Sequence, residues 1–246
     1  MSSVRERAIA SFILKKQDFG EADQIVTLFS KEEGKVRVLV KAAKMPASKL
    51  QPMMQPLFET RVTLSGSKER TGLAKVIGVQ MINNYSGILE TESKLAAWYV
   101  VSELLMRALP DSEPNESLFN ELENYAAFLH SAELDPSQVK QSVIQFQIKA
   151  MTTLGLGIRS FNLTVAQPQN IWFSLDRGGF TTEDSVDAIP VRWQSFQTFK
   201  ILADEPYVLT NEFSTEDFAP ISGLVNRFVS YQLDREIKSQ QLLAST

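Results

Sequence analysis

The chain has 246 residues, 43% of them apolar, with 25 Lys and Arg against 29 Asp and Glu, one histidine and no cysteine. That composition supplies a core for one large or two to three small domains and excludes disorder, disulfides, thiol nucleophiles and Cys-ligated metals. With a single histidine the common triads and zinc-hydrolase sites lack their parts, and neither a GxxxxGK[ST] nor a GxGxxG run is present.

The net charge of −4 conceals a division. Residues 1–80 carry 14 basic and 8 acidic side chains, whereas residues 81–246 carry 11 and 21. No acidic residue occurs between Glu33 and Glu59, yet Lys35, Arg37, Lys41, Lys44 and Lys49 all fall there. A basic module joined to an acidic one points to two partners of opposite charge, with a polyanion such as nucleic acid at the front.

At the start, Ala8–Leu14 is a short apolar stretch that runs directly into Lys15-Lys16 with no small-x-small cleavage site, so it reads as a first strand. The apolar run Leu95–Val101 is too short to span a bilayer, and a cytoplasmic, nucleoid-associated location is expected. Strand β-propensity covers Ala8–Lys16, Gln24–Ser30, Lys35–Val40, Leu57–Ser65 and Gly72–Val79. Polar or glycine-containing turns at Gln17–Asp23 and Lys31–Gly34 separate the first three. Five short strands predict a small barrel of the OB type. In Lys35–Lys41 the period of two puts Val36, Val38 and Val40 on one face and Lys35, Arg37, Leu39 and Lys41 on the other. Ala42–Pro56, with three prolines, reads as an extended, mobile loop carrying Lys44 and Lys49.

After Tyr85 the period becomes helical. Thr91–Leu109 is stopped by Pro110, and Asn115 caps a second helix bearing Leu118, Phe119, Leu122, Tyr125 and Leu129. Asp135-Pro136 opens a third, closed by Gly155 or Gly157. An irregular or hairpin region, Phe161–Glu183, turns at Arg177-Gly178-Gly179, and two more helices are predicted at Pro190–Ala203 and Asp217–Leu243. The expected class is α+β. A five-stranded OB-fold barrel over residues 1–82 precedes an α-helical domain over 83–246, with a small irregular or hairpin insertion at about 158–186.

Chemistry-bearing clusters are few. His130 falls at a helix end and reads as a solvated residue favouring that terminus. Asp18, Glu21 and Asp23 form the one tight carboxylate group, with turn polarity as its ordinary role and a hard cation as the alternative. No catalytic or metal-binding residue is expected. Phe12, Phe19, Phe29 and Phe58 would serve as stacking platforms, although aromatics on strands default to core. Trp98, Tyr125, Phe146, Trp193 and Phe228 read as helical core. Nothing suggests base-edge readout, so binding would be driven by the phosphate backbone.

A set of ordered features lies between Phe12 and Phe58. They are Leu14-Lys15, the turn Phe19-Gly20-Glu21-x-Asp23, Ile25–Phe29, Gly34-Lys35, Val40–Lys44 with Ser48 and Leu50, and Gln55-Pro56. In these the segment resembles the N-terminal domain of the bacterial RecO family of DNA repair proteins. Leu154-Gly155, Tyr231–Leu233 and Ile237–Ser239 agree more loosely, and the order of barrel then helices fits the full length. The resemblance implies a recombination mediator that binds single- and double-stranded DNA, anneals complementary strands and works with RecR to load RecA onto DNA coated by single-strand-binding protein (SSB). It implies recognition of the acidic SSB C-terminal tail, and no cofactor, small-molecule substrate or membrane partner. By position it assigns DNA binding to Lys15, Lys35, Arg37, Lys41, Lys44 and Lys49. Two departures are visible: Ala43 stands where a second glycine is usual, and the four cysteines of many members are missing from Phe161–Glu183. That region would then be held by its own packing through Ile171, Trp172, Phe173 and Phe180. For an acidic tail a local basic patch including Arg159, Arg192 or Arg227 is expected. The alternatives are an adaptor whose basic barrel takes an acidic protein and no DNA, and a metal-dependent nuclease built on Asp18, Glu21 and Asp23.

Overall fold

The computed structural model describes residues 6–46, 48, 50–66, 72–160, 170–207 and 213–245. Packing divides the chain into two units, Met1–Thr91 with Ser102–Ser131 and Glu92–Val101 with Ala132–Thr246.

In the first unit, β1 (Glu6–Phe19), β2 (Asp23–Ser30), β3 (Gly34–Val40), β4 (Phe58–Ser65) and β5 (Ala74–Asn84) close a barrel in the order β1-β2-β3-β5-β4. Neighbours are antiparallel except β3 and β5, which pair in parallel only at Val38–Ala74 and Leu39–Lys75. The five expected strands are all present. Alternation sends Ile9, Ile13, Val26, Leu28, Val38, Val40, Val62, Leu64 and Val76 into a common core.

Phe12 and Phe29 are also buried, but on the barrel's outer surface. Partnered across β1 and β2, both rings meet Phe119 at 5.5 Å between centroids. Phe119 belongs to α2 (Glu116–Ser131), which follows α1 (Glu92–Ala108). As the sequence predicts, Asn115 caps α2, its Oδ1 accepting the Leu118 N–H at 2.9 Å. Lys31 fixes the first turns of α2 from the barrel side, 3.2 Å from Glu116 and donating to Asn120 at 3.0 Å. Gly34 permits the approach of the α1–α2 connection. Its φ is +68°, and a Cβ there would overlap the Glu113 carbonyl.

Between residues 41 and 56 the described residues differ from the extended loop expected. They form successive turns, closed by Met45 N–H to Ala42, Ser48 N–H to Met45 and Met54 N–H to Leu50. The physical reason is apolar: Ala43 and Met54 are 3% exposed and join the barrel core, with Leu50 packed against it. Among the loop's described residues Ala42 is left-handed, φ +51°, while Ala43 faces inward.

In the second unit, α3 (Pro136–Thr153) opens with a capping box, Asp135 and Gln138 exchanging side-chain and backbone hydrogen bonds. It closes on Gly155 (φ +77°), with Leu156 N–H bonded to Met151 and Gly155 N–H to Thr152. Strands β6 (Arg159–Ser160), β7 (Ile171–Ser174), β8 (Gly179–Thr181) and β9 (Ile189–Val191) form a sheet in the order β6-β8-β7-β9. Helices α4 (Trp193–Asp204), α5 (Thr215–Gln232) and α6 (Gln240–Ala244) complete the chain. Pro190, expected to open a helix, instead pairs with Trp172 in β9. The single final helix expected over Asp217–Leu243 is two. Asp234 turns left-handed (φ +51°), and the Arg235 N–H closes onto Ser230.

The hairpin of β7 and β8 is clamped by rings. Phe180 lies 5.0 Å from Phe173, 5.0 Å from Phe196 and 4.7 Å from Phe199, and Phe173 meets Phe228 edge-on at 5.9 Å. Phe173 and Phe180 are fully buried and Ile171 is 3% exposed, while Trp172 is half-buried. Packing therefore holds this cysteine-free hairpin, though residues 161–169 of the region lie outside those described. Among the described residues no helix is long and apolar enough to cross a membrane.

Because the Phe180 ring joins Phe173 of β7 to both Phe196 and Phe199 of α4, Phe180→Ala is expected to lower stability by about 3–5 kcal/mol, read as a shift in the urea midpoint. A loss below about 1 kcal/mol would show that the ring cluster does not hold the hairpin.

Candidate nucleic-acid interface

The outer face of β1, β2 and β3 is organised in rows of directly opposed residues. The first, Phe12–Phe29–Lys35, has its aromatics under α2. The next is Lys15–Thr27–Arg37, and the third is Gln17–Ile25–Leu39, extended by Lys75 across the parallel β3–β5 pair. A β-bulge creates the second row. The β1–β2 register shifts between Ile13, opposite Leu28, and Lys15, opposite Thr27. Were Leu14 paired in the ladder instead of bulged, strict alternation would turn Lys15 toward the barrel interior.

Lys15, Arg37 and Lys41 are exposed and, among the described residues, meet no carboxylate. Thr27, between the first two, is only 7% exposed. Lys44 is exposed too, with its Nζ 3.1 Å from Asp18 Oδ2. Lys35 departs from the expected outward stripe. Its side chain is 14% exposed, 3.2 Å from Asp111 Oδ1, and its ammonium donates to the Met106 carbonyl at 3.1 Å. It straps the α1–α2 connection to β3, where Ser112 N–H also donates to the Lys35 carbonyl. Lys49 lies outside the described residues.

Sequence reasoning did not single out Lys75, which is exposed and joins this face only through the non-local β3–β5 pairing. Phe19 is the exposed aromatic of the strand set at 53%, while Phe58 is half-buried.

The turn carboxylates brace the basic loop. Asp23 Oδ1 accepts the Ala42 N–H at 2.8 Å, and Asp18 takes hydrogen bonds from Gln24 and Lys44 that hold its carboxyl below the usual range. Among the described residues no three such groups converge as metal ligands. His130 is exposed, and its Nδ1 accepts the Gly87 N–H at 2.9 Å. Beneath α2, Glu59 is 3% exposed, accepts from Asn83 at 2.7 Å and shares a hydrogen bond with Glu123. Burial first, then the charges of Glu59 and Glu123, push the neighbouring Tyr85 hydroxyl up to about 12. In the second unit Arg159 and Arg227 are exposed, whereas Arg192 lies 3.6 Å from Glu216 and 3.7 Å from Asp217.

Residues 1–85 match the family model described as the N terminal of recombination protein O, and residues 90–241 match its C-terminal model. Relatives named DNA repair protein RecO span the same chain. That of Myxococcus xanthus is 26% identical over 245 residues, covering 95% of each chain. That of Bifidobacterium animalis is 27% identical over 248 residues, 99% of this chain and 100% of the relative. The Geobacter metallireducens protein reaches 35% identity over 137 residues, which is 56% of this chain and about half (54%) of the relative's length.

Burial, and then the charge and hydrogen bond of Glu59, hold the Glu123 carboxyl above its ordinary 4.5 against the opposing pull of Lys31. The folded chain thus keeps a proton that the unfolded chain has released. This stabilisation is complete below about pH 4.5 and is lost as pH rises through the higher folded value. Glu123→Gln is therefore expected to raise the melting temperature at about pH 8 and to lose that advantage near pH 4. An advantage of equal size at both pH values would remove the shared proton.

Proposed function

This chain belongs to the recombination protein O family of DNA repair proteins, and on that premise we propose that its barrel binds single- and double-stranded DNA through the outer face of β1, β2 and β3. The observation that carries the reading is the row Lys15–Thr27–Arg37, continued by Lys41, Lys44 and Lys75: exposed cations gathered on one face of a net-acidic protein. Lys35 acts as a strut of this surface, its ammonium already engaged by Asp111. Lys49 joins this proposal on the sequence resemblance alone.

Phosphates are the groups such a face recognises, because lysine and arginine neutralise them without reference to the bases. Two strands held on it have their mutual repulsion screened, which lets complementary bases pair. Annealing needs no chemical step by the chain. The resemblance noted from the sequence extends the reading to RecR and to the SSB tail as partners in loading RecA, in the cytoplasm at the nucleoid. Exposed Arg159 and Arg227 supply cations for an acidic tail in the second unit.

The test is affinity for single-stranded DNA against salt. Four phosphate contacts give a log–log slope of about −3, from roughly −0.7 per contact. The variant Lys15→Glu, Arg37→Glu, Lys41→Glu, checked to be folded, should bind weakly with a slope no steeper than about −1. An unchanged slope would remove this face as the site. No binding by the native chain would favour an acidic protein as the barrel's partner.

A further inference from the structure

The side of β3 away from β2 is paired at both ends and open between them. At Lys35 it bridges to Asp111, and at Val38 and Leu39 it pairs with Ala74 and Lys75. Opposite Val36 and Arg37 no strand partner is present among the described residues. The gap is a cavity of about 380 Å³, walled by Val36, Leu64, Leu73 and Ala74 and rimmed by Arg37 and Ser112.

Its chemistry narrows the occupant. Two charge pairs in the lining are internally matched, Arg7 with Glu33 and Lys35 with Asp111. Arg37 is left as the positive charge without a carboxylate among the described residues. Two residues of strand, about 7 Å, are too short a run for an added peptide strand to pair with. The volume falls at the small end of small-ligand sites. What fits is a molecule with apolar faces, a polar edge toward Ser112, and one negative charge beside Arg37. Those are the properties of a nucleotide. Arg37 also stands in the exposed row that the preceding reading assigns to phosphates.

We propose that this cavity receives one unstacked nucleobase of a bound single strand, whose flanking phosphate is held by Arg37. The inference rests on the DNA-binding reading and adds to it a base-dependent contact. A duplex keeps its bases stacked and paired, and extruding one costs a few kcal/mol, so the contact belongs to single strands.

Three ligands separate the base from the phosphates: a short oligothymidylate, a strand of equal length made wholly of abasic sites, and a duplex. The native chain should bind oligothymidylate about tenfold more tightly than the abasic strand, the scale of one base contact. Ala74→Leu, which fills the cavity without altering charge, should erase that preference while leaving duplex affinity and the salt slope unchanged. Equal binding of both strands by the native chain would overturn the cavity and leave the phosphate surface standing. A preference that survives in Ala74→Leu would also overturn it and would point to exposed Phe19. A native chain that binds none of the three overturns both readings. Should Ala74→Leu not fold, thymidine monophosphate added to the native chain decides: shifts of the Val36, Arg37 and Ala74 amide resonances support the cavity, and their constancy rejects it.

Discussion

The burial of an aromatic row on the outside of the barrel is the constraint from which the rest of the first unit follows. Phe12 and Phe29 would face water on an isolated barrel, and Phe119 of α2 covers them. Burying three such rings contributes several kcal/mol and fixes one helix against one patch of sheet. Once α2 is placed, its N-terminal connection must pass the start of β3, which only a glycine at Gly34 allows. Asp111 and Ser112 then reach Lys35, and the space between that bridge and β5 stays open. A hydrophobic contact thus sets which cations of β3 face water and which are tied down.

Electrostatics is laid over this frame in a sorted way. The cations near α2 and its connection are matched: Lys31 by Glu116, Lys35 by Asp111, Arg7 by Glu33. Among the described residues, those farther along the same strands are left unmatched, apart from Lys44 with Asp18. A linear count of charge cannot make this distinction, because Asp111 and Glu116 belong to the acidic part of the chain and Lys31 and Lys35 to the basic part. The basic surface that remains is smaller than the composition of residues 1–80 implies, and it is confined to one face.

What was legible in the sequence was what local rules control. Alternation at Lys35–Val40 gave the inward valines, Asn115 and Asp135-Pro136 gave helix starts, and Gly155 gave a helix end, all decided within a few residues. What was not legible depended on residues brought together from afar. Lys35 looked like Arg37 until α2 was docked, and Lys75 joined the basic face through a parallel pairing that no spacing reveals. The loop after β3 looked extended because its prolines were visible, while the burial of Ala43 and Met54 was not. The final helix broke at Asp234 because a left-handed residue closes α5 there, and no glycine or proline marked the place.

The bulge at Leu14 has a consequence for how β1 tolerates change. Before it, the outward positions of β1 carry the ring that packs under a helix; after it, they carry a cation that faces solvent. The strand is read in two frames joined by one unpaired residue. Side chains at the junction are open to replacement, since Leu14 itself opposes nothing in the ladder. The number of residues between Phe12 and Lys15 is open by one as well. Losing Leu14 would merge the two frames into plain alternation, with Lys15 still outward and opposite Thr27. Losing a residue elsewhere in β1, where no bulge absorbs it, would exchange the inner and outer sides of everything beyond, so the strand's length is constrained along its course except at this one point, where a single deletion is absorbed.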